Sequence, residues 1–301
     1  MGNYRGLANS PGAALLTTLI GLGSAACVGQ AAPATETVPF GATWHGILRG
    51  GEALPDRGPG FVRVRPGGST RWGTPELVRA LQRAAASVAR AFPGGAPLRV
   101  GDLSGPGGGR HHRHASHRTG LDADVLFYVT DGWGRTVDGP GWPVFDRAGL
   151  PHRRAEDSAR RGSLRPLFFD SARNWHLVRT LLTDPEVQVQ WILCSNGVKA
   201  MLLSHAAQHE QDPDVLVRAS YVLHQPSSGA PHGDHFHIRL WCSSRERAWG
   251  CLPGPPRWPW LNQQAGEMPS PLPATDQALV HALLQGADSR PAETTHASSG
   301  F

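Results

Sequence analysis

Lysine is nearly absent: Lys199 is the only one among 29 lysine and arginine residues, so the net charge of +5 is carried almost wholly by arginine. Together with abundant Ala, Gly and Pro, this bias points to a GC-rich coding sequence and says little about function. A basic chain suits either nucleic acid or an anionic envelope polymer. There is no basic stripe with interleaved aromatics, which argues against nucleic acid. Cysteine is also scarce, with four residues and no Cys-x-x-Cys pair, which excludes a zinc site built from thiolates. No stretch reaches the roughly 18 uninterrupted apolar residues that a membrane-spanning helix needs. No internal repeat is present.

With 301 residues and both ends discounted, about 230 residues remain for a single core. Residues 1–27 read as an export signal: Arg5 precedes an uncharged stretch containing Leu15, Leu16, Leu19, Ile20 and Leu22. Cys27, after Ser24-Ala25-Ala26, offers a possible lipid anchor and membrane tether. The protein is therefore expected outside the cytoplasm, periplasmic or tethered. Residues 28–39 read as a linker, 40–262 as one domain and 263–301 as a Pro-rich disordered tail with a short helical piece at 277–284.

Export permits disulfides, and Cys242 and Cys251 are close enough in sequence to close a small loop, so they are expected to be bridged. Cys194, in the apolar run 187–194, reads as a buried thiol.

Gly/Pro-rich loops are expected from residue 40 to 74. Thr74-Pro75 supplies a cap and a first-turn proline, and Leu77, Leu81, Ala84, Val88 and Phe92 recur at helical spacing. Further helices are expected at 171–182 behind Asp170, near 198–209 and at 214–223, and strands at 98–103, 122–129, 187–194 and 235–242. An irregular segment is expected up to about residue 166. Trp191 and Trp241 read as core or cleft wall.

Chemistry concentrates in two windows that hold seven of the fifteen histidines: His111-His112-Arg113-His114-Ala115-Ser116-His117 and His232-Gly233-Asp234-His235-Phe236-His237. In the second, strand alternation sends His235 and His237 to one face. In the first, His117 is followed by Asp124 across Gly120, which lets the chain turn into the strand. Two histidines and one carboxylate, with a fourth position left for water, make the ligand set of a catalytic zinc. Such a centre activates water and polarises a carbonyl, and a base must take the water's proton. No Glu lies beside either window, whereas His232 and His235 do.

At these residues the chain resembles the penicillin-insensitive murein endopeptidases, within a wider group that includes D-Ala-D-Ala peptidases, lysostaphin-type enzymes and the hedgehog signalling domain. The resemblance lies in His-Ala-Ser-His-x-Thr-Gly-Leu-Asp-x-Asp, in His-x-x-His-x-His followed by Ile238-Arg239, in Gly101-Asp102-Leu103 and in Trp72-Gly73-Thr74. It covers roughly residues 40 to 251 and implies zinc held by His117, Asp124 and His237, with His235 or His232 as base. It also implies hydrolysis of the D-alanyl to meso-diaminopimelyl cross-link of peptidoglycan. The family pattern includes the Cys242 to Cys251 loop. His114 is then expected near the metal or the substrate, and His111 and His112 as solvated loop residues. Asp122 can orient a ligand histidine, and Arg239 can meet a substrate carboxylate or balance Asp124. Arg118 replaces the glutamine of many relatives. The implied fold is α+β, a small mainly antiparallel sheet with flanking helices and long loops, hedgehog/D-Ala-D-Ala-peptidase-like. Competing functions are a D,D-carboxypeptidase and a zinc-bearing wall-binding module without turnover.

Overall fold

The computed structural model describes residues 36–139, 141–146, 150–152 and 166–261. The expected export signal with Cys27, most of the linker, the tail with its helical piece and part of the irregular segment lie outside the described residues. Among these residues no helix is long and apolar enough to cross a membrane.

The class is α+β. A seven-stranded mixed sheet runs in the order Leu223–His224, Val189–Leu193, His235–Leu240, Asp122–Leu126, Leu98–Val100, Phe61–Arg63, Arg57–Gly58. The expectation of a small sheet therefore understates it. Its two central strands, His235–Leu240 and Asp122–Leu126, are antiparallel and pair His237 with Asp124 and Arg239 with Asp122. Side chains alternate along both strands, so Ala123, Val125, Phe236 and Ile238 enter one apolar core while the histidines, aspartates and arginine share the opposite face. A one-residue slip would exchange the two faces, so core burial holds the polar ladder in register.

Helices Pro75–Ala91 (α1), Ser171–Leu182 (α2), Asn196–His209 (α3) and Pro213–Val222 (α4) contribute to the same core. α1 begins where Thr74 Oγ1 accepts from Leu77 N–H at 3.3 Å and Pro75 fills the first helical position. It buries Leu77, Val78, Leu81, Ala84 and Val88, and each Leu contributes about 1.5–3 kcal/mol. Truncating Leu81 to Ala would cost about 2–5 kcal/mol. Asp170 caps α2 and Ser195 caps α3.

Residues 40–74 depart from the expected loops. They contain strands Val38–Ala42, His45–Arg49, Glu52–Ala53, Phe61–Arg63 and Trp72–Gly73, as well as the sheet edge Arg57–Gly58. The strands are two to five residues long and interrupted by glycines, so no periodicity develops in the sequence. Three other expected strands end early, at Val100, Leu126 and Leu240, and the strand expected at 187–194 runs from Val189 to Leu193. Cys242 and Cys251 are bridged, which ties the chain beyond the central strand to the small sheet of Cys251–Leu252, Val38–Ala42 and His45–Arg49. Cys194 is buried and free.

Candidate metal centre

Asp124 and His237 face each other across the central pair of strands, and the loop before Asp122 brings His117 onto them. That loop turns at Gly120 (φ +77°), where a Cβ would stand 2.7 Å from Leu48 Cδ2. Ser104 holds both sides of the turn: its hydroxyl donates to His117 O at 2.6 Å and accepts from Gly120 N–H at 2.9 Å. His117 and His232 are the non-glycine residues with left-handed backbones among those described, at φ 62° and 53°. Such conformations cost energy in ordinary residues and concentrate where surrounding structure imposes them at functional sites. His232 is held by Ser195 N–H, which donates to its carbonyl at 3.0 Å.

Three atoms converge in the buried centre. His117 Nε2 is 3.3 Å from Asp124 Oδ1 and 3.3 Å from His237 Nδ1, which is itself 3.2 Å from Asp124 Oδ1. Asp124 Oδ1 is buried and accepts no hydrogen bond among the described residues. Electron-rich atoms this close are stabilised only by a shared proton or a cation. The edges match a tetrahedral ion with bonds of about 2.0 Å, for which neighbouring ligands stand about 3.3 Å apart. The residues therefore fit a small divalent metal. His114 also reaches this centre, with Nε2 3.4 Å from Asp124 Oδ2, and it forms a possible metal-holding group with His117 and Asp124.

A supporting shell surrounds these atoms. Asp122 accepts from His117 N–H at 2.9 Å and from Arg239 Nε at 2.6 Å, and lies 3.2 Å from His237 Nε2. Arg239 thus balances Asp122 rather than Asp124 and is committed within the protein. His235 Nδ1 is 2.7 Å from Asp234 Oδ1, while its Nε2 faces Asp124 Oδ1 at 3.5 Å. The His232 ring lies 5.0 Å from that of His235.

Charge follows this geometry. Burial raises the Asp124 carboxyl, but His117 and His235 outweigh it and hold the group well below the usual carboxylate range. Asp122 is likewise raised by burial and held low overall by Arg239 and His237. Burial opposes the charge on His235, yet Asp124 and Asp234 prevail and push it up to about 10. His232, half-buried beside His235 and His237, is lowered to about 4 by desolvation and by those two rings.

A second possible group, Asp102, His111 and His114, adjoins the first. His111 is buried rather than solvated, stacked on His112 with ring centroids 5.1 Å apart, and burial lowers it to about 4. Its Nδ1 accepts from Arg113 N–H at 3.2 Å, which leaves the proton of the neutral ring on Nε2 and no lone pair there for a metal. Asp102 is already saturated by Arg113, Thr70 and His114. The Asp102 group is therefore a supporting network.

Sequence reasoning missed the roles of Asp102, Asp234 and Trp142. Asp234 was within reach, since it sits inside the second histidine window. Trp142 was not, because nothing local signals that its ring meets His235 edge-on at 5.6 Å.

A family model described as penicillin-insensitive murein endopeptidase matches residues 39–256. Among curated relatives, the penicillin-insensitive murein endopeptidase of Haemophilus influenzae is 29% identical over 214 residues, which cover 68% of this chain and 63% of that protein. The protein of the same name from Escherichia coli strain 55989 is 26% identical over 271 residues, covering 82% of this chain and 89% of the relative. That of Klebsiella pneumoniae subsp. pneumoniae is 37% identical over 91 residues, about a third of each chain. The chain thus spans less than two thirds of the Haemophilus relative.

Proposed function

The chain belongs to the penicillin-insensitive murein endopeptidase family, and from that premise we propose that it is a zinc-dependent hydrolase of D-alanyl to meso-diaminopimelyl cross-links in peptidoglycan. Its place of work is then the extracytoplasmic cell wall, and its fold is of the D-Ala-D-Ala-peptidase and hedgehog type. The observation that carries the proposal is the convergence of His117 Nε2, Asp124 Oδ1 and His237 Nδ1 at 3.2–3.3 Å, where that buried carboxylate oxygen accepts no hydrogen bond among the described residues.

His117, Asp124 and His237 are the proposed ligands, and His114 stands where it can join them. Bound zinc supplies Lewis acidity toward the peptide carbonyl and an activated water. The remaining steps belong to side chains. Asp122 takes the Nε2 proton of His237 as a hydrogen bond, which leaves the Nδ1 lone pair facing the metal position. Asp234 holds Nδ1 of His235, so Nε2 of that ring is the atom that carries a proton toward the leaving amine. His232, the alternative base, lies beside it, with ring centroids 5.0 Å apart.

The test is incubation of the purified protein with cross-linked muropeptide dimers, with and without a chelator and then with zinc restored, followed by product masses. Dimers are expected to become monomers, and the chelator to stop this. Release of terminal D-Ala alone would mark a carboxypeptidase. A zinc-loaded protein that leaves every peptide intact would defeat the proposal.

A further inference from the structure

Asp102 is buried beneath two guanidinium groups that use it unequally. Arg113 closes a bidentate pair, Nε to Oδ2 at 2.8 Å and a terminal nitrogen to Oδ1 at 2.9 Å. Thr70 Oγ1 donates to Oδ1 at 2.6 Å, and His114 Nε2 lies 3.2 Å from Oδ2. The carboxylate is therefore satisfied before Arg65 is counted. Arg65 adds a single bond, NH1 to Oδ1 at 3.2 Å, its one side-chain hydrogen bond among the described residues, and its side chain is 39% exposed.

Two cations on one anion leave an excess positive charge on this rim. Nearby acids are engaged elsewhere: Asp122 is matched by Arg239, Asp234 faces His235, and Asp124 faces His117 and His237 at the proposed metal position. The rim is also joined to the reacting centre. Arg65 Cζ lies 6.0 Å from the Trp142 ring, and that ring meets His235 edge-on. The indole and Asp124 both border Gly101, where a Cβ would stand 3.3 Å from Asp124 Cβ and 3.4 Å from Trp142 Cη2. One indole thus separates a guanidinium with spare donors from the proposed proton carrier.

We propose that Arg65, backed by Trp142, binds the substrate carboxylate on the carbon attached to the scissile nitrogen. This rests on the hydrolase function proposed above. In the cross-link, the amine side of the cleaved bond is the D-centre of diaminopimelate, which carries a free carboxylate on that carbon. The pocket for the leaving side must then receive an anion close to the metal, and a guanidinium with unspent donors is the group suited to pair it in two-point fashion. Arg113, already committed in both directions to Asp102, positions that carboxylate and leaves Arg65 to the substrate.

The test compares two muropeptide dimers, one with this carboxylate free and one with it amidated, on the zinc-loaded full-length protein and its Arg65→Gln and Arg65→Lys variants. The wild type is expected to favour the free acid at least tenfold in kcat/KM, chiefly through KM. Arg65→Gln should erase that preference, and Arg65→Lys, which keeps charge without the planar fork, should restore part of it. Equal turnover of acid and amide by the wild type, or equal loss on both in Arg65→Gln, overturns the subsite and leaves the hydrolase function standing. Cleavage of neither peptide by the wild type overturns the hydrolase function instead. Titration calorimetry of both peptides into the zinc-depleted protein then decides the subsite: tighter binding of the acid, lost in Arg65→Gln, supports it, and equal binding refutes it.

Discussion

The Asp122 carboxylate lies 3.2 Å from Nε2 of His237, while Asp124 Oδ1 faces the other ring nitrogen of the same imidazole at 3.2 Å. Asp122 thereby decides which nitrogen of His237 carries the proton, and through its bond to His117 N–H it also braces the second proposed ligand. Asn at this position keeps the shape and loses the charge. Asp122→Asn should weaken zinc binding roughly 10- to 100-fold, read by competition with a chromogenic chelator. Wild-type affinity in that variant would remove the orienting role.

Removal of a proposed ligand should act on metal content before anything else. His117→Ala, Asp124→Ala and His237→Ala should each purify with little zinc and lack the rise in melting temperature that zinc is expected to give the wild type. Elemental analysis and thermal denaturation with added zinc provide the readout. A variant that keeps full stoichiometry is not missing a ligand.

His235 and His232 should separate on the same assay. His235→Ala is expected to retain zinc while its turnover falls by about 10²- to 10⁴-fold. His232→Ala should fall less, because among the described residues Nδ1 of His232 has no hydrogen-bond partner, whereas Asp234 orients the ring of His235. If His235→Ala turns over as the wild type does, the proton carrier is elsewhere, and His232 becomes the first candidate.

The Cys242 to Cys251 bridge spans nine positions. Closing so short a loop stabilises by about 2–3 kcal/mol through the unfolded chain. Replacing both residues with Ser should lower the urea midpoint accordingly and leave the metal centre, built on other segments, able to bind zinc. An unchanged midpoint would mean that the small sheet contributes nothing to global stability.

His176 offers a pH test away from the metal. It sits on α2 and meets α1, with Nε2 2.9 Å from Ser87 Oγ, and burial followed by repulsion from Arg179 and Arg90 lowers its pKa below 6.5. The unfolded chain then binds the proton more readily than the folded one, so stability falls as pH drops through about 6.5 toward the lower folded value. His176→Gln should flatten that part of the urea midpoint against pH, relative to the wild type. Parallel curves for the two proteins would refute the assignment.

Much of the site was legible because its signals are local. His117 and Asp124 lie on a single turn and strand, and His235 and His237 share a face through simple alternation. Helix α1 was equally legible, since its cap, proline and apolar stripe fall in one continuous segment. The strands between residues 38 and 73 were not, because each is too short to show a period and each is held by a partner distant in sequence. His111 was misjudged for a related reason: a run of polar residues looks solvated, yet this ring is buried between His112, which stays exposed, and His114.

By itself the sequence determined which donor atoms exist and which face of each strand they occupy, because side-chain chemistry and two-residue alternation are local properties. Only the tertiary structure decided that Asp124 stands opposite His237, that Asp122 orients that histidine and that Asp234 holds His235. It also decided that Arg65 keeps donors to spare above Asp102. Register, tautomer and charge balance depend on groups brought together from far along the chain, 115 residues apart for Asp122 and His237, and burial of the apolar face is what brings them into line.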